Sequence, residues 1–287
     1  ADQVNETKIY DFDTFYPRHN QGADKWSMMQ REGKRDFAAD VFPFSVADMD
    51  FKAAPEIQEA LRAAADYGIF GYSTPTEQYN RAVCAWQARR HGFICRPEWI
   101  VQVPNVVYGL IQMVETFTEK GDGVIIQPPV YPPFFSAVEN HQRRLVCNPL
   151  ICRDGHYEMD FDDLARKAAD PQTKMMILCN PHNPVGRVWT RGEPAETARI
   201  CLENHVQLIS DEIHADLVYA PNRHTMLAGL DPELVRRCVV CTSPSKTFNL
   251  ASLSTANLII PDEKMRSAFH QTSDRIGIHG ANYLGTV

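Results

Sequence analysis

The sequence predicts an α/β fold, in which a mostly parallel sheet is covered by helices. Two observations carry this prediction. From Val124 onward, apolar runs of strand length alternate with helical segments at intervals of roughly 30 residues, a rhythm typical of βα units. The runs are also apolar at nearly every position, as in strands that are buried on both faces of a parallel sheet; they are 124–127, 174–179, 207–210, 238–241 and 256–260.

Composition excludes several classes of protein. The 287 residues are 44% hydrophobic, enough for a large buried core. A net charge of −7 and the lack of a basic cluster argue against a nucleic-acid surface. No apolar run approaches the roughly 20 residues of a membrane span, and the first residues lack the pattern of a secretory signal.

The eight cysteines are scattered, which is typical of small core residues in a reducing cytoplasm. Cys238 and Cys241 form a CxxC pattern, but three residues apart on a strand they face opposite sides, so we expect neither metal nor disulfide there.

In the first half of the chain, the sequence predicts a loop, helices and a strand. Residues 31–36 are charged and contain glycine, which predicts a loop. Pro55 begins a helix that Gly68 ends, and Thr76 caps a second helix that stops at Gly92. Residues 99–103 form a strand, and residues 104–109 turn into a helix whose free N–H groups suit a phosphate. In the second half, residues 193–205 form a helix that covers the sheet.

Polar clusters follow three of the apolar runs. Asn180 to Gly186 (NPHNPVG) follows the first, Asp211 to His214 (DEIH) the second, and Thr242 to Leu250 (TSPSKTFNL) the third. Ligands of open α/β sheets sit beyond the carboxyl ends of the strands. Burial of a charged lysine there costs free energy unless the residue has a function. Taken alone, Lys246 is better explained as a loop residue that points to water; the other polar clusters favour a functional role.

The chemistry of these clusters fits pyridoxal phosphate (PLP). Lys246 suits a Schiff base with an aldehyde, because burial would lower its pKa towards that of a usable nucleophile. A buried Asp211 suits a cationic ring nitrogen, since an opposite charge favours the ionised carboxylate. Together the two residues predict a PLP site.

These motifs are similar to those of the fold-type I PLP enzymes of the class I/II aminotransferase superfamily. Within it the sequence resembles the MalY/PatB-type cystathionine β-lyases, which are cysteine-S-conjugate C–S lyases. The resemblance covers almost the whole chain, in family order, and rests on SVADMDF at 45–51, GY at 71–72, PVYP at 129–132, NPHNPVG at 180–186, SDEIH at 210–214 and SPSKTFN at 243–249.

The resemblance implies roles for individual residues. Lys246 is the catalytic residue and also binds the cofactor. Asn183 donates to the phenolate oxygen, and Tyr131 stacks on the pyridine ring. The phosphate is bound by the backbone amides of Val106 and Val107, by Ser243 and Ser245, and by Tyr72 from the neighbouring subunit of a homodimer. Asp211 holds the ring nitrogen, and His214 stands where aminotransferases commonly have tyrosine.

Ordinary structural roles remain open for three of these residues. Tyr72 is also explained as an ordinary packed tyrosine, and Tyr131 as an aromatic residue at the rim of a proline-rich loop. His214 is also explained as a core histidine whose hydrogen bonds are satisfied. The sequence also departs from the family at several positions. Ser254 stands where an arginine often binds the phosphate, Ser45 replaces tryptophan, and Asn105 and Ser252 replace glycines.

The resemblance divides the chain into residues 1–50, an N-terminal arm belonging to a small domain, and residues 51–287, the PLP-binding large domain. It implies that the C-terminal small domain, with the arginine that binds the substrate carboxylate, is absent from this chain. In the family, the arm brings backbone close to that carboxylate.

The predicted function is PLP-dependent cleavage of L-cystathionine or a related cysteine S-conjugate to a thiol, pyruvate and ammonia. Two alternatives remain open at this point. The first is an aminotransferase that acts on an amino acid and a 2-oxo acid. The second is a catalytically impaired fragment with a binding or regulatory role.

Overall fold

The computed structural model describes residues 10–18, 21–33, 42–277 and 282–287. The helices are α1 (Asp24–Gly33), α2 (Pro55–Tyr67), α3 (Glu77–His91), α4 (Val106–Phe117), α5 (Pro133–Glu139), α6 (Phe161–Ala168), α7 (Gly192–Glu203), α8 (Pro232–Val235), α9 (Pro244–Thr247) and α10 (Glu263–Ile276). The strands are β1 (Ile100–Val103), β2 (Gly123–Ile126), β3 (Arg144–Cys147), β4 (Ile151–Arg153), β5 (His156–Glu158), β6 (Thr173–Cys179), β7 (Gln207–Asp211), β8 (Cys238–Thr242) and β9 (Ala256–Ile259).

Seven strands form one sheet in the order β1-β9-β8-β7-β6-β2-β3. The pairs β3–β2, β2–β6, β6–β7 and β7–β8 are parallel, while β9 runs antiparallel to both of its neighbours. The prediction of a mostly parallel sheet covered by helices is therefore confirmed. The strand β9 was predicted, but its antiparallel direction and the small β4–β5 hairpin were not. Both depend on the path of the chain between strands rather than on the residue pattern within one strand.

Both faces of the sheet are buried, and each belongs to its own core. One core joins the sheet to α4, α5 and α10, and the other joins it to α6 and α7. Along β8 the side chains alternate between the two cores, with Cys238 and Val240 on one side and Val239 and Cys241 on the other. This alternation places the two cysteines on opposite faces, as the strand period requires.

The predicted helix ends are present in α2 and α3. Pro55 is the first residue of α2, and Gly68 ends it in the left-handed conformation at φ 71°. The hydroxyl of Thr76 accepts the N–H of Tyr79 at the start of α3, which Gly92 ends at φ 66°. Glycine suits both end positions because it has no Cβ to clash there.

The predicted loop at residues 31–36 is wrong for Arg31 to Gly33, which form the last turn of α1. The rest of that range lies outside the described residues. α1 is anchored by Lys25 and Trp26, which are both buried, and Arg31 pairs with Asp24 and with the carbonyl of Ser27. Arg31 thus lies on the exposed side of the helix, and Gly33 is its last residue. Among the described residues, no helix combines the length and apolar character needed to cross a membrane.

Candidate active site

The three polar clusters meet because their strands are neighbours. In the sheet register, Cys179 at the end of β6 lies opposite Asp211 at the end of β7, and Asp211 lies opposite Cys241 in β8. Pairing continues one step further, since the N–H of Asn180 donates to the Asp211 carbonyl at 2.9 Å. The predicted convergence at one edge of the sheet is therefore observed. Asp211 itself is the last residue of its strand rather than the first residue beyond it.

Asp211 carries a buried carboxylate whose negative charge is only weakly compensated by its neighbours. The residue is 5% exposed, and its carboxylate accepts the N–H of Ile213 at 3.1 Å. Burial raises the pKa of Asp211 to about 7, and the neighbouring charge of Glu212 adds to this while that of Lys246 opposes it. A carboxyl group in such a place is stabilised by a cation, which would favour its ionised form.

Lys246 lies in the single turn of α9, directly after β8. Its amine donates to the carbonyl of Ala47 at 2.9 Å, so the N-terminal segment 42–51 reaches the site. Burial lowers the pKa of Lys246, while the charges of Asp48 and Asp211 act in the opposite direction. Geometry and charge thus bring Lys246 and Asp211 into one site.

His214 and Tyr131 lie beside this pair. Burial lowers the pKa of His214, and the positive charge of Lys246 lowers it further, which favours a neutral imidazole. Burial raises the pKa of the Tyr131 hydroxyl, and the charge of Asp211 contributes. The ring of Tyr131 also packs edge-on against Phe134, with centroids 6.0 Å apart.

The loop that carries Asn183 is well defined. The N–H of Asn183 donates to the sulfur of Cys179 at 3.3 Å, and the loop closes where the N–H of His182 donates to the carbonyl of Arg187 at 2.8 Å. The ring of His182 contacts the Pro129 carbonyl at 2.9 Å, two residues before Tyr131. The loops after β2 and β6 are thereby joined at the site.

The predicted phosphate ligands fall into two groups. Val106 and Val107 are the first residues of α4, which packs on β8 and β9 and whose cap Asn105 accepts the N–H of Tyr108 at 2.8 Å. Asn105 therefore acts as the cap of this helix. Ser243 caps α9, and its hydroxyl lies 2.8 Å from both the Ser245 hydroxyl and the Thr255 carbonyl.

Tyr72 is the predicted residue that this chain does not bring to the site. Its side chain is fully exposed, and Tyr67, Ile69 and Phe70 close to it in sequence are each more than 60% exposed. Within one chain, Tyr72 has no role in the pocket.

Reasoning from the sequence missed a buried network next to the site. The carboxylate of Glu212 accepts the Ser210 hydroxyl at 2.8 Å and the Leu227 N–H at 2.9 Å. The ring of His224 contacts that same carboxylate. Glu212 belongs to the SDEIH motif at 210–214, which was the one feature of the sequence that pointed to this network. Nothing in the sequence indicates a role for His224.

A mainly apolar cavity of about 440 Å³ lies close to the site but does not contain it. Thr247 and Ser243 line this cavity together with Trp86 and Leu250, whereas Lys246 and Asp211 do not. The candidate active site is therefore defined by the Lys246 amine and the Asp211 carboxylate, and not by this cavity.

The fold and the site are those of an α/β enzyme whose reactive groups lie at the carboxyl ends of parallel strands. Comparison with known proteins specifies the family. The model of the family "Aminotransferase class I and II" matches residues 39–281, and the chain belongs to this family.

Individual relatives agree with this assignment. The chain is 44% identical to cystathionine beta-lyase PatB of Bacillus subtilis over 271 residues, which are 94% of this chain and 69% of the relative. The PLP-containing crystal structure of cystalysin from Treponema denticola superposes with a TM-score of 0.94 at 38% identity, over 97% of this chain and 71% of that one. A PLP-bound C–S lyase from Staphylococcus hominis gives a TM-score of 0.88 at 32% identity, over 98% and 69%.

Proposed function

We propose that the chain is a PLP-dependent C–S β-lyase, which cleaves L-cystathionine or a related cysteine S-conjugate to a thiol, pyruvate and ammonia. The observation that carries this proposal is that the Lys246 amine and the buried Asp211 carboxylate lie beyond and at the ends of two adjacent strands, close enough for the charge of each to shift the pKa of the other. The similarity to a cystathionine beta-lyase and to C–S lyases supports the lyase reaction over others that the same family performs.

The residues present fit PLP. A buried carboxylate whose pKa is raised to about 7 is suited to a protonated ring nitrogen, because that cation would compensate its charge. An amine whose pKa is lowered by burial is suited to bind an aldehyde. We further propose that Asn183 and Tyr131 contact the ring, and that His214 borders it as a neutral imidazole.

For the phosphate we propose the N–H groups of Val106 and Val107, at the positive end of α4. The hydroxyl of Ser243 has two acceptors within reach and only one hydrogen. Ser243 is therefore better suited to orient the hydroxyl of Ser245, which we propose as the direct phosphate donor.

When bound, PLP supplies an electron sink for the charge that remains when the substrate loses its Cα proton. The amine of Lys246 takes that proton, and its lowered pKa makes the neutral, basic form more abundant near neutral pH. The ionised carboxylate of Asp211 holds a proton at the ring nitrogen. The burial of Asp211 strengthens its electrostatic interaction with the half-buried amine of Lys246.

We also propose a homodimer in which Tyr72 reaches the phosphate of the neighbouring subunit. This proposal is supported by the exposure of Tyr67, Ile69, Phe70 and Tyr72, since a cluster of apolar side chains on a surface is typical of an interaction site. Residues 51–287 are then the cofactor-binding domain, and residues 1–50 an arm that belongs with a second, smaller domain.

An aminotransferase is the second candidate, because the matching family model is named for that activity. One assay separates the two. A lyase releases pyruvate from L-cystathionine without any added 2-oxo acid, whereas an aminotransferase converts an amino acid only when a 2-oxo acid is supplied. Pyruvate release that depends on the added acceptor would contradict the lyase proposal. Failure to develop a visible absorbance band on addition of PLP would instead indicate an impaired site.

A further inference from the structure

The side chain of Asn249 binds a segment 200 residues away in sequence. Its Oδ1 accepts the N–H of Met49 at 3.0 Å, and its Nδ2 donates to the carbonyl of Met49 at 2.9 Å. The same Nδ2 lies 3.4 Å from the Phe51 carbonyl. Because Asn249 satisfies both backbone groups of Met49, it fixes the orientation of the two peptide units on either side of that residue as well as their position.

Asn249 is itself held firmly, three residues after Lys246. Its backbone is left-handed at φ 58°, a conformation that asparagine tolerates better than most residues. The chain around it is closed by the N–H of Phe248 on the Pro244 carbonyl at 2.9 Å and the N–H of Leu250 on the Ser245 carbonyl at 3.0 Å. The side chain that binds Met49 and the amine of Lys246 therefore belong to one compact loop.

The segment that Asn249 binds also provides the contact to Lys246. Two residues before Met49, the carbonyl of Ala47 accepts the Lys246 amine at 2.9 Å. The intervening Asp48 is anchored from the other side, by Arg18 at 2.8 Å and by the buried Lys25 at 3.0 Å. Loss of Asn249 would leave this second anchor intact and free the segment only on the side of the lysine.

We propose that Asn249 is a positioning residue, which fixes the main chain of residues 47–49 so that the Ala47 carbonyl holds the amine of Lys246 in the place from which it takes the substrate proton. This role rests on the lyase function proposed above, in which Lys246 is the base. Displacement of a reacting group by about 1 Å costs on the order of 100-fold in rate. Asn249 would thus influence the proton transfer through the position of the Lys246 amine.

The test uses Asn249→Gly, which removes the side chain and leaves a residue that adopts positive φ without strain. The matched control is His205→Gly, because His205 has the same φ of 58° and is exposed at the end of α7, away from the site. Both variants change one left-handed residue to glycine, and only the first removes a bond to Met49.

The first measurement is amide hydrogen exchange at Met49 in the protein without PLP. In Asn249→Gly we expect exchange to be faster by about tenfold or more, because the amide loses its acceptor, and we expect His205→Gly to match the parent. Unchanged protection of Met49 in Asn249→Gly would overturn the proposal. This result does not depend on any lyase activity, so it stands even if the proposed function fails.

The second measurement is the split between kcat and KM for L-cystathionine, with hydrogen or deuterium at Cα. For Asn249→Gly we expect kcat to fall roughly 10- to 100-fold with little change in KM, and the deuterium isotope effect on kcat to increase, because proton transfer becomes slower. A raised KM with unchanged kcat and isotope effect would show that Asn249 shapes binding only and would overturn its role towards Lys246.

Discussion

The hydroxyl of Thr247 donates to the carboxylate of Asp216 at 2.8 Å, which fixes the residue next to Lys246 to the segment after β7. Two donors from α3 reach the same carboxylate, Trp86 through Nε1 at 3.0 Å and His91 through Nε2 at 2.9 Å. One carboxylate therefore joins the lysine loop, the chain that follows Asp211, and α3.

We expect Asp216→Asn to destabilise the protein by about 2 kcal/mol at pH 7. Burial raises the pKa of Asp216, but the hydrogen bonds from His91, Thr247 and Trp86 outweigh it and lower the pKa from 3.8 to about 2. A depressed folded-state pKa gives stability that is present above about pH 4 and is lost as the pH falls towards 2. Urea unfolding at pH 7 and pH 3 should therefore show the difference from the parent shrink at the lower pH.

The control for this variant is Asp170→Asn, since Asp170 is an exposed carboxylate paired with Arg144. Its effect should be small at both pH values, because exposed ion pairs contribute little. A penalty for Asp216→Asn that is equally small, or that does not change with pH, would contradict the account of this network.

We expect Asp211→Asn to stabilise the protein without PLP at alkaline pH. The folded-state pKa of Asp211 is raised from 3.8 to about 7, chiefly by burial, so its contribution to stability is lost as the pH rises from about 4 to about 7. At pH 8 the variant should unfold with up to about 4 kcal/mol more free energy than the parent, and near pH 4 the two should agree.

The same Asp211→Asn variant should bind PLP more weakly, because the ring nitrogen loses its counter-charge. Thermal unfolding at pH 4 and pH 8, with and without PLP, measures both effects. A variant that is less stable than the parent at pH 8 without PLP would show that the buried carboxylate has a partner the account omits.

Tyr72 provides a test of the proposed dimer. If its hydroxyl completes the neighbouring site, Tyr72→Ala and Lys246→Ala should each inactivate the homodimer, for different reasons. Mixing and reassociating the two variants should then restore pyruvate release, because one site of each hybrid receives an intact lysine and an intact tyrosine. No recovery in hybrids that form measurably would contradict a shared site.

The sequence was sufficient for features determined by local pattern. The buried strands, the caps at Thr76 and Gly92, and the convergence of Asp211 with Lys246 follow from strand ends and known turn chemistry. Contacts between residues that are far apart in the sequence were not predictable in this way. The pairing of Trp86 with Asp216 spans 130 residues, and that of Asn249 with Met49 spans 200. Such pairs depend on how helices, strands and loops pack against one another, which no single stretch of the sequence determines.

The most direct test of the account is the absorbance and activity of Lys246→Ala, with Lys174→Ala as the control because Lys174 is an exposed lysine on β6. On addition of PLP, the parent and the control should develop the visible band of a lysine-bound cofactor and release pyruvate from L-cystathionine. Lys246→Ala should lose both while keeping its fold. Pyruvate release by Lys246→Ala at the parent rate would contradict the central claim.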